Sequence, residues 1–189
     1  DLGIYGIDPA TGEVVDRIIS NELWAKMSQR GLAYNPDDDT FYIGGWNQKI
    51  IFHIKGPSWD QPGAILEQWS FPVNIAGLAY HPAGVLWVTD NGQPDMIYGI
   101  DVETHKVIEQ FLHPAYLYNS GAGAEVDSDG NLWVISMDEK MVYVVSTGLP
   151  PMPPIGVDPG SGSIPAGETC EITVEFDALK LGRPGDDVE

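Results

Sequence analysis

Seven aromatic and polar residues lie in short polar segments of the sequence and carry the side chains that a sugar-like ligand requires. They are Trp46, Asn47, Asp90, Asn91, Tyr116, Tyr118 and Asp138. Aromatic rings supply the apolar contact of a small-molecule site, while amides and carboxylates fix the orientation of the ligand through hydrogen bonds. If the fold gathers these segments on one face, they form a ligand-binding site. The alternative is that the same residues pack loops and cap turns.

Six aspartates form a second candidate set, for a calcium ion. The pairs are Asp37 with Asp39, Asp90 with Asp95, and Asp127 with Asp129. Carboxylate oxygens are the ligands that Ca²⁺ prefers, but no segment follows the EF-hand loop pattern. Aspartate is also common in turns because it tolerates turn geometry. Calcium binding and an ordinary turn therefore remain alternatives for each pair, and no other cofactor is predicted.

The four histidines argue against catalysis. His53 falls in a predicted strand, and His81 and His105 fall in predicted turns away from the candidate ligand residues. Only His113 lies in a segment close to them. No Ser-His-Asp set and no zinc-type histidine spacing is visible. The sequence therefore predicts a chain that is not an enzyme.

The elements that must position these residues are set by an internal repeat. Similar phrases begin at positions 31, 77 and 123, a constant spacing of 46 residues. Each leads into a short strand containing Tyr42, Trp87 or Trp133, and these three residues are expected to be buried at equivalent sites between sheets. A period in the forties with four short strands is typical of β-propeller blades. Residues 1–148 are therefore predicted to form about 3.5 four-stranded blades: a half blade at 1–18, full blades at about 31–71 and 77–111, and a three-stranded blade at about 123–146.

In such blades, the loops between the second and third strands lie at the same end as the loops that lead into each first strand. The candidate ligand residues all fall in these two kinds of loop. The repeat therefore predicts that they share one face of the propeller.

A second module is predicted after residue 148. Residues 149–154 form a Pro-rich linker, which is stiff because each proline fixes its own φ and restricts the preceding residue. In residues 155–189, the alternation of Cys170, Ile172, Val174 and Phe176 places these side chains on one face of a strand. We expect a truncated immunoglobulin-like β-sandwich here, with the single cysteine in its core.

Charge and hydropathy exclude two classes of partner. The chain has 9 Lys and Arg residues against 28 Asp and Glu residues, which gives a formal net charge of −19. Nucleic acid is therefore not expected as a partner, because phosphate binding requires a basic surface. Insertion into a membrane is not expected either, because no apolar stretch approaches the length of a spanning helix.

Three segments resemble parts of known families. Residues 126–134 (Val-Asp-Ser-Asp-Gly-Asn-Leu-Trp-Val) resemble the repeat of NHL-type and streptogramin-lyase-like propellers, and residues 5–14 are similar to a hairpin of secreted bacterial propellers. Residues 157–167 resemble the opening strands of bacterial immunoglobulin-like modules that follow such propellers in large surface proteins. The resemblance implies a secreted or surface-anchored prokaryotic protein.

The predicted function is that of a non-enzymatic structural or adhesive module, located outside the cell or at its surface. The half blade and the three-stranded blade are expected to leave open strand edges, which pair readily with other strands. The expected partners are the rest of a larger chain, of which this would be a fragment, or other copies that build an extracellular filament by strand exchange. The alternative is a sugar-binding or lyase-like propeller whose site is completed by missing blades.

Overall fold

The computed structural model of the chain describes residues 2–116 and 121–152, and the backbone of residues 155–158 and 173–176. Its first sheet is a two-stranded half blade formed by β1 (Gly3–Ile7) and β2 (Val14–Ile19). A one-turn helix, α1 (Leu23–Lys26), follows this sheet. No helix in the described part of the chain is long and apolar enough to cross a membrane.

Three antiparallel sheets follow, each with its strands in sequence order. The first full blade contains β3 (Gln29–Asn35), β4 (Thr40–Gly45), β5 (Ile50–Lys55) and β6 (Ile65–Ser70). The second full blade contains β7 (Ile75–His81), β8 (Val85–Asp90), β9 (Met96–Asp101) and β10 (Val107–Leu112). The third blade contains β11 (Gly121–Val126), β12 (Asn131–Ser136) and β13 (Met141–Ser146). The predicted all-β fold with an incomplete set of propeller blades is confirmed.

The residues that were expected to be buried alike occupy equivalent positions but differ in exposure. Tyr42, Trp87 and Trp133 each lie in the second strand of a blade, opposite residues 33, 79 and 125 of the first strand. Tyr42 is 2% exposed and Trp87 1% exposed, whereas Trp133 is 44% exposed. The following blade covers the first two side chains, and no further blade in the described part of the chain covers the third.

The core lies between the blades rather than within them. One cluster joins the half blade and α1 to the first full blade through Ile18, Trp24 and Phe52. A second fills the seam between the two full blades, and a third fills the seam between the second and third blades. Burying one large apolar side chain contributes about 1.5–3 kcal/mol, so these seams supply most of the stability.

The first part of the predicted linker is packed on the blades. Leu149 and Met152 contact the core of the seam between the second and third blades. His81 Nε2 lies 2.9 Å from the carbonyl oxygen of Pro150, and the Met152 N–H donates to the carbonyl of Ser128 at 3.0 Å. Residues 149–152 are therefore fixed to the propeller.

In the segment predicted to be immunoglobulin-like, the described backbone forms one two-stranded antiparallel sheet. Its strands are β14 (Ile155–Asp158) and β15 (Thr173–Phe176). Cys170 and Ile172 lie outside the described residues.

Candidate functional site

Buried polar residues gather at one end of the blades, where β4, β8 and β12 finish and β3, β7 and β11 begin. We call this the polar end. Its described loops are residues 46–49, 71–74, 91–95, 113–116 and 137–140. The buried polar residues there are Thr89, Asp90, Asn91, Asp95, His113 and Ser136. Burying a polar group costs free energy unless the group is hydrogen-bonded, so the partner of each of these side chains has to be identified.

Three of these residues hold the loops of the polar end in place. The carboxylate of Asp90 accepts a hydrogen bond from the Asn74 N–H at 2.9 Å. Asn91 Nδ2 donates to the carbonyl of Gly121 at 2.7 Å, and the Gly121 N–H donates to Asp95 at 2.8 Å. The first residue of β11 is thus fixed through both of its backbone groups. A Cβ atom at Gly121 would lie 2.1 Å from the carbonyl oxygen of Asp90, so only glycine fits there.

The charge state of Asp90 is affected by its surroundings. Burial raises the pKa of Asp90 above its ordinary value, and the neighbouring charge of Asp95 acts in the same direction. The hydrogen bond from Asn74 and the charge of Lys49 oppose the rise. Two buried carboxylates at one end of the sheets disfavour a further negative charge, such as that of an anionic ligand.

His113 is fully buried and neutral. The Ala115 N–H donates to His113 Nδ1 at 3.1 Å, so Nε2 is the nitrogen that carries the proton. Burial lowers the pKa of His113, while the charges of Asp95 and Glu139 oppose that effect. Nε2 has no hydrogen-bond partner among the described residues. His113 therefore presents a neutral N–H donor inside the polar end.

The same turn occurs at the opposite end of the second blade. Both His81 and His113 are followed by proline and alanine, and in both turns the alanine N–H donates to the histidine Nδ1. At His81, however, Nε2 has an acceptor, the carbonyl of Pro150. This repeated His-Pro-Ala signal in the sequence could have directed attention to His113, which sequence reasoning had set aside.

Four of the predicted ligand residues lie on the rim of the polar end. Trp46 is half-buried, and the Arg30 guanidinium lies 5.0 Å from the centre of its ring. Trp46 Nε1 is buried without a hydrogen-bond partner in the described part of the chain. Asn47, Tyr116 and Asp138 are exposed.

The other predicted ligand residues fall elsewhere. The structure brings Asp90 and Asn91 together beneath the rim, where their side chains hold loops, and Tyr118 lies outside the described residues.

In two of the predicted calcium pairs, one aspartate serves as a hydrogen-bond acceptor in a turn at the opposite end. Asp127 accepts from the Asp129 and Asn131 N–H groups, each at 2.9 Å, and from Trp133 Nε1 at 2.7 Å. These bonds, led by that from Trp133, lower the pKa of Asp127. Asp39 accepts from the Ser58 N–H at 2.6 Å, and Asp37 is exposed.

The third pair, Asp90 with Asp95, lies in the polar end described above. No group of three or more histidine, cysteine or acidic side chains in the described residues is arranged to hold a metal ion.

Comparison with known proteins supports the fold. No protein-family model and no curated protein sequence matches the chain. Virginiamycin B lyase from Staphylococcus aureus matches 92% of this chain and 48% of its own, at 17% identity and a TM-score of 0.52. Glutaminyl cyclase from Myxococcus xanthus matches 73% of this chain and 54% of its own, at 15% identity and a TM-score of 0.53.

A protein of unknown function from Bacteroides caccae matches 77% of this chain and 50% of its own, at 16% identity and a TM-score of 0.50. The chain thus spans about half the length of these solved structures. At such identities the likeness shows the fold alone: an NHL-like β-propeller of the kind found in virginiamycin B lyase. The immunoglobulin-like module gains no support from these matches.

The prediction that the chain is not an enzyme is corrected by these comparisons. Two of the three solved structures that share its fold are named as enzymes, a lyase and a cyclase. The prediction relied on the small number of histidines near the candidate site. Because the same fold occurs in enzymes, that number does not exclude catalysis. A structural or adhesive role has no support from these matches.

Proposed function

We propose that the polar end is part of a ligand-binding face of a β-propeller and that its ligand is small and polar. The observation that carries the proposal is the set of six buried polar side chains at this end, which includes His113 with an Nε2 that has no partner among the described residues. Buried polar groups of this kind are concentrated at functional sites, because a purely structural end can be built from turns at lower cost.

The polar end contains two layers of residues with different roles. Beneath the surface, Asp90, Asn91 and Asp95 hydrogen-bond the backbone of neighbouring loops. At the surface, Tyr116 offers an aromatic ring in the loop that ends at Gly121, and Trp46 offers a second ring in the β4–β5 loop. Holding the supporting loops rigid lowers the entropy that a ligand loses on binding, which favours affinity.

The charges of the polar end indicate the class of ligand. Asp138 and Glu139 are exposed on the rim, opposed by Lys49, Lys140 and Arg30. The chain as a whole carries a formal net charge of −19. This field repels anionic ligands, so a neutral, hydroxyl-rich molecule such as a sugar is the ligand we expect.

The proposal is tested by titrating the native protein with neutral mono- and disaccharides and following saturation-transfer NMR. Trp46→Phe should weaken binding about ten-fold or more, since buried aromatic contacts often contribute 2 kcal/mol or more to an interface. Trp59→Phe is the matched control, because Trp59 is a partly exposed tryptophan at the opposite end, where its Nε1 donates to the Asp38 carbonyl at 2.8 Å. Equal effects of the two variants, or no saturable binding, would contradict the proposal.

A second candidate function is lyase-like catalysis, and His113 is the residue that favours it. A neutral, desolvated imidazole with an unpartnered N–H group can donate a hydrogen bond to a substrate oxygen on which negative charge develops. A solved structure of the inactive virginiamycin B lyase contains quinupristin, which makes this compound a suitable probe. Turnover of quinupristin, detected by chromatography and lost in His113→Asn, would favour the enzyme; saccharide binding without turnover would favour the binding protein.

We also propose an extracellular or cell-surface location and an immunoglobulin-like module in residues 155–189. The acidic composition and the pairing of β14 with β15 are consistent with these proposals. The location is tested by looking for the protein outside the cells of its native host, with circular dichroism as the check that the recovered protein is folded.

A further inference from the structure

We propose that the half blade and the first full blade form a groove that accepts a two-stranded β-hairpin. The groove lies between β1 and β3 and has a volume of about 370 Å³; its lining includes Gly3, Ile4, Arg30, Leu32 and Ile43. The hairpin pairs with β1 and packs on β3, in the place that the first two strands of a blade occupy elsewhere in the chain. This inference does not depend on the ligand-binding proposal.

The half blade consists of outer strands. β1 and β9 contain the same five residues, Ile-Tyr-Gly-Ile-Asp. Ile4 pairs with Ile18 in β2, and Ile97 pairs with Phe111 in β10, so the two strand pairs have the same register. β9 also pairs with β8, whereas β1 has no second strand beside it in the described part of the chain. β1 and β2 therefore correspond to the third and fourth strands of a blade.

The edge of β1 that faces away from β2 presents backbone groups for pairing. The Leu2 carbonyl accepts a hydrogen bond from the Ser20 N–H at 3.3 Å. The Asp8 N–H donates to the Glu13 carbonyl at 2.9 Å. Because successive residues of a strand direct their backbone groups to opposite edges, those of Ile7 point away from β2. An edge of this kind readily accepts a further strand.

The face of β3 toward the groove carries apolar side chains whose equivalents in the next blade are buried. Leu32 and Tyr34 are each 47% exposed. In β7, Leu78 is 1% and Tyr80 is 7% exposed, and the Tyr42 ring of the first blade stacks on Tyr80 with centroids 5.8 Å apart. The half blade has no inner strands to cover Leu32 and Tyr34 in this way. The apolar seam between the half blade and the first full blade therefore continues into the groove.

The repeat indicates what the first strand of the hairpin contains. Where one blade packs on the next, a glycine of its first strand meets the following blade. A Cβ atom at Gly31 would lie 2.6 Å from the Leu78 side chain. One at Gly77 would lie 2.4 Å from the carbonyl oxygen of Ala122. Leu32 has the place of Leu78, so the strand that covers it needs a glycine at the point of contact.

The second strand of the hairpin is the one that pairs with β1. In the second full blade Trp87 pairs with Gly99, and a Cβ atom at Gly99 would lie 3.0 Å from the indole. Gly6 is the equivalent of Gly99 in β1, so the residue opposite Gly6 can be as large as tryptophan. The β7–β8 hairpin, residues 75–90, has both features, Gly77 and Trp87.

The occupant is the inner hairpin of a further blade of this repeat. A second copy of the chain has none to offer among its described strands, because β3–β4, β7–β8 and β11–β12 are each held in a sheet of their own. The chain covers about half of the solved structures that share its fold, so this fold accommodates further blades that carry such hairpins.

A synthetic peptide with the sequence of residues 75–90 tests the groove in the 189-residue chain. The peptide should bind saturably and slow the hydrogen exchange of the Ile7 N–H by about ten-fold or more, measured by ¹⁵N NMR. Gly6 is the control in the same strand, because its backbone groups face β2 and its exchange should not change. No saturable binding, or binding that leaves the Ile7 N–H unprotected, would overturn the proposal.

Two matched variants of the protein locate the bound peptide. Leu32→Ser removes an apolar side chain from the groove and should weaken peptide binding by about ten-fold, because burying a leucine is favourable. Leu66→Ser is the control, because Leu66 is a leucine of the same blade that is 40% exposed and lies in the outer strand β6. Equal affinities of the two variants for the peptide would mean that it binds elsewhere, and the proposal would be wrong.

A dilution series without the peptide distinguishes the hairpin from a second copy of the chain. We expect the exchange rate of the Ile7 N–H to be the same at low and at high protein concentration. Protection of this N–H that grows with protein concentration would mean that another copy fills the groove, which contradicts the proposed occupant.

Discussion

The two blade-to-blade seams have the same backbone and different chemistry. In the seam between the full blades, Tyr42 pairs in register with His53, and His53 pairs with Glu67. In the seam between the second and third blades, Trp87 takes the place of Tyr42 and Gly99 takes the place of His53. The first seam thus contains a hydrogen-bonded network, and the second contains an apolar cluster around Trp87.

The difference shows that the two residues paired across the second and third strands of a blade change together in size. A Cβ atom on Gly99 would lie 3.0 Å from the Trp87 ring, so the large indole requires a glycine beside it. Tyr42 is smaller and leaves room for the His53 ring, which stacks on it at 4.3 Å. The repeat sets where a pair must fill the seam, and the pair decides whether the seam is apolar or hydrogen-bonded.

The largest effect should come from removing the indole of the apolar seam. Trp87→Ala should reduce the free energy of unfolding by about 3–5 kcal/mol, because it leaves a cavity among buried side chains. Trp133→Ala, at the equivalent but 44% exposed position, should cost about 1 kcal/mol. Urea unfolding of both variants checks the comparison, and equal losses would show that Trp133 is covered in solution.

A smaller loss of stability is expected when the Trp87–Gly99 pair is changed toward the tyrosine–histidine pair of the other seam. Gly99→His should cost about 1–3 kcal/mol, because the new ring meets Trp87 in a packed core. Adding Trp87→Tyr should recover part of that loss, and a double-mutant cycle measures the coupling. Additive effects of the two changes would mean that the pairing of sizes has no energetic basis.

His113 should make the stability of the protein depend on pH. Because burial lowers its pKa, the folded protein binds fewer protons there than the unfolded chain. This stability is present above about pH 6.5 and is lost as pH falls below that value. His113→Asn keeps an acceptor for the Ala115 N–H and should reduce the loss between pH 7 and pH 5 by about 1 kcal/mol. An unchanged loss would place the acid-sensitive group elsewhere.

The smallest effect should come from His105→Gly. The glycine relieves the left-handed backbone but gives up the stack on Trp69, two contributions of about 1 kcal/mol each with opposite signs. The free energy of unfolding at pH 8 should therefore change by less than about 1 kcal/mol. Urea unfolding checks this prediction, and a larger change would show that one of the two contributions dominates.

The fold could be predicted from the sequence because its cause is local and repeated. The spacing between residues 31, 77 and 123, with alternating apolar residues, specifies strands of a blade whatever lies beyond them. The cluster of His53, Glu67 and His105 at the seam between the full blades could not be predicted in this way. Its three residues come from β5, β6 and the β9–β10 turn, and their meeting depends on how two sheets twist against each other. His53 and His105 therefore appeared in the sequence as unrelated strand and turn residues.

The role of the candidate site residues as ligand contacts stays a prediction. The repeat indicated only that their loops belong to the same end of the blades. It could not show that Asp90 and Asn91 direct their side chains inward, because that depends on the loop carrying Asn74 and on the start of β11. The turn around Asp127 was open to calcium in the sequence, and the indole N–H of Trp133 takes up one of its oxygens.

The docking of residues 149–152 has a mechanical consequence. A pull applied at Met152 loads the hydrogen bonds to Ser128 and, through Pro150, to His81 before it reaches β13. Because His81 ends β7 of the second full blade and Ser128 lies in the third blade, the tension divides between two blades before it reaches the outer strand β13. Residues 149–152 therefore anchor the chain to two blades just after β13.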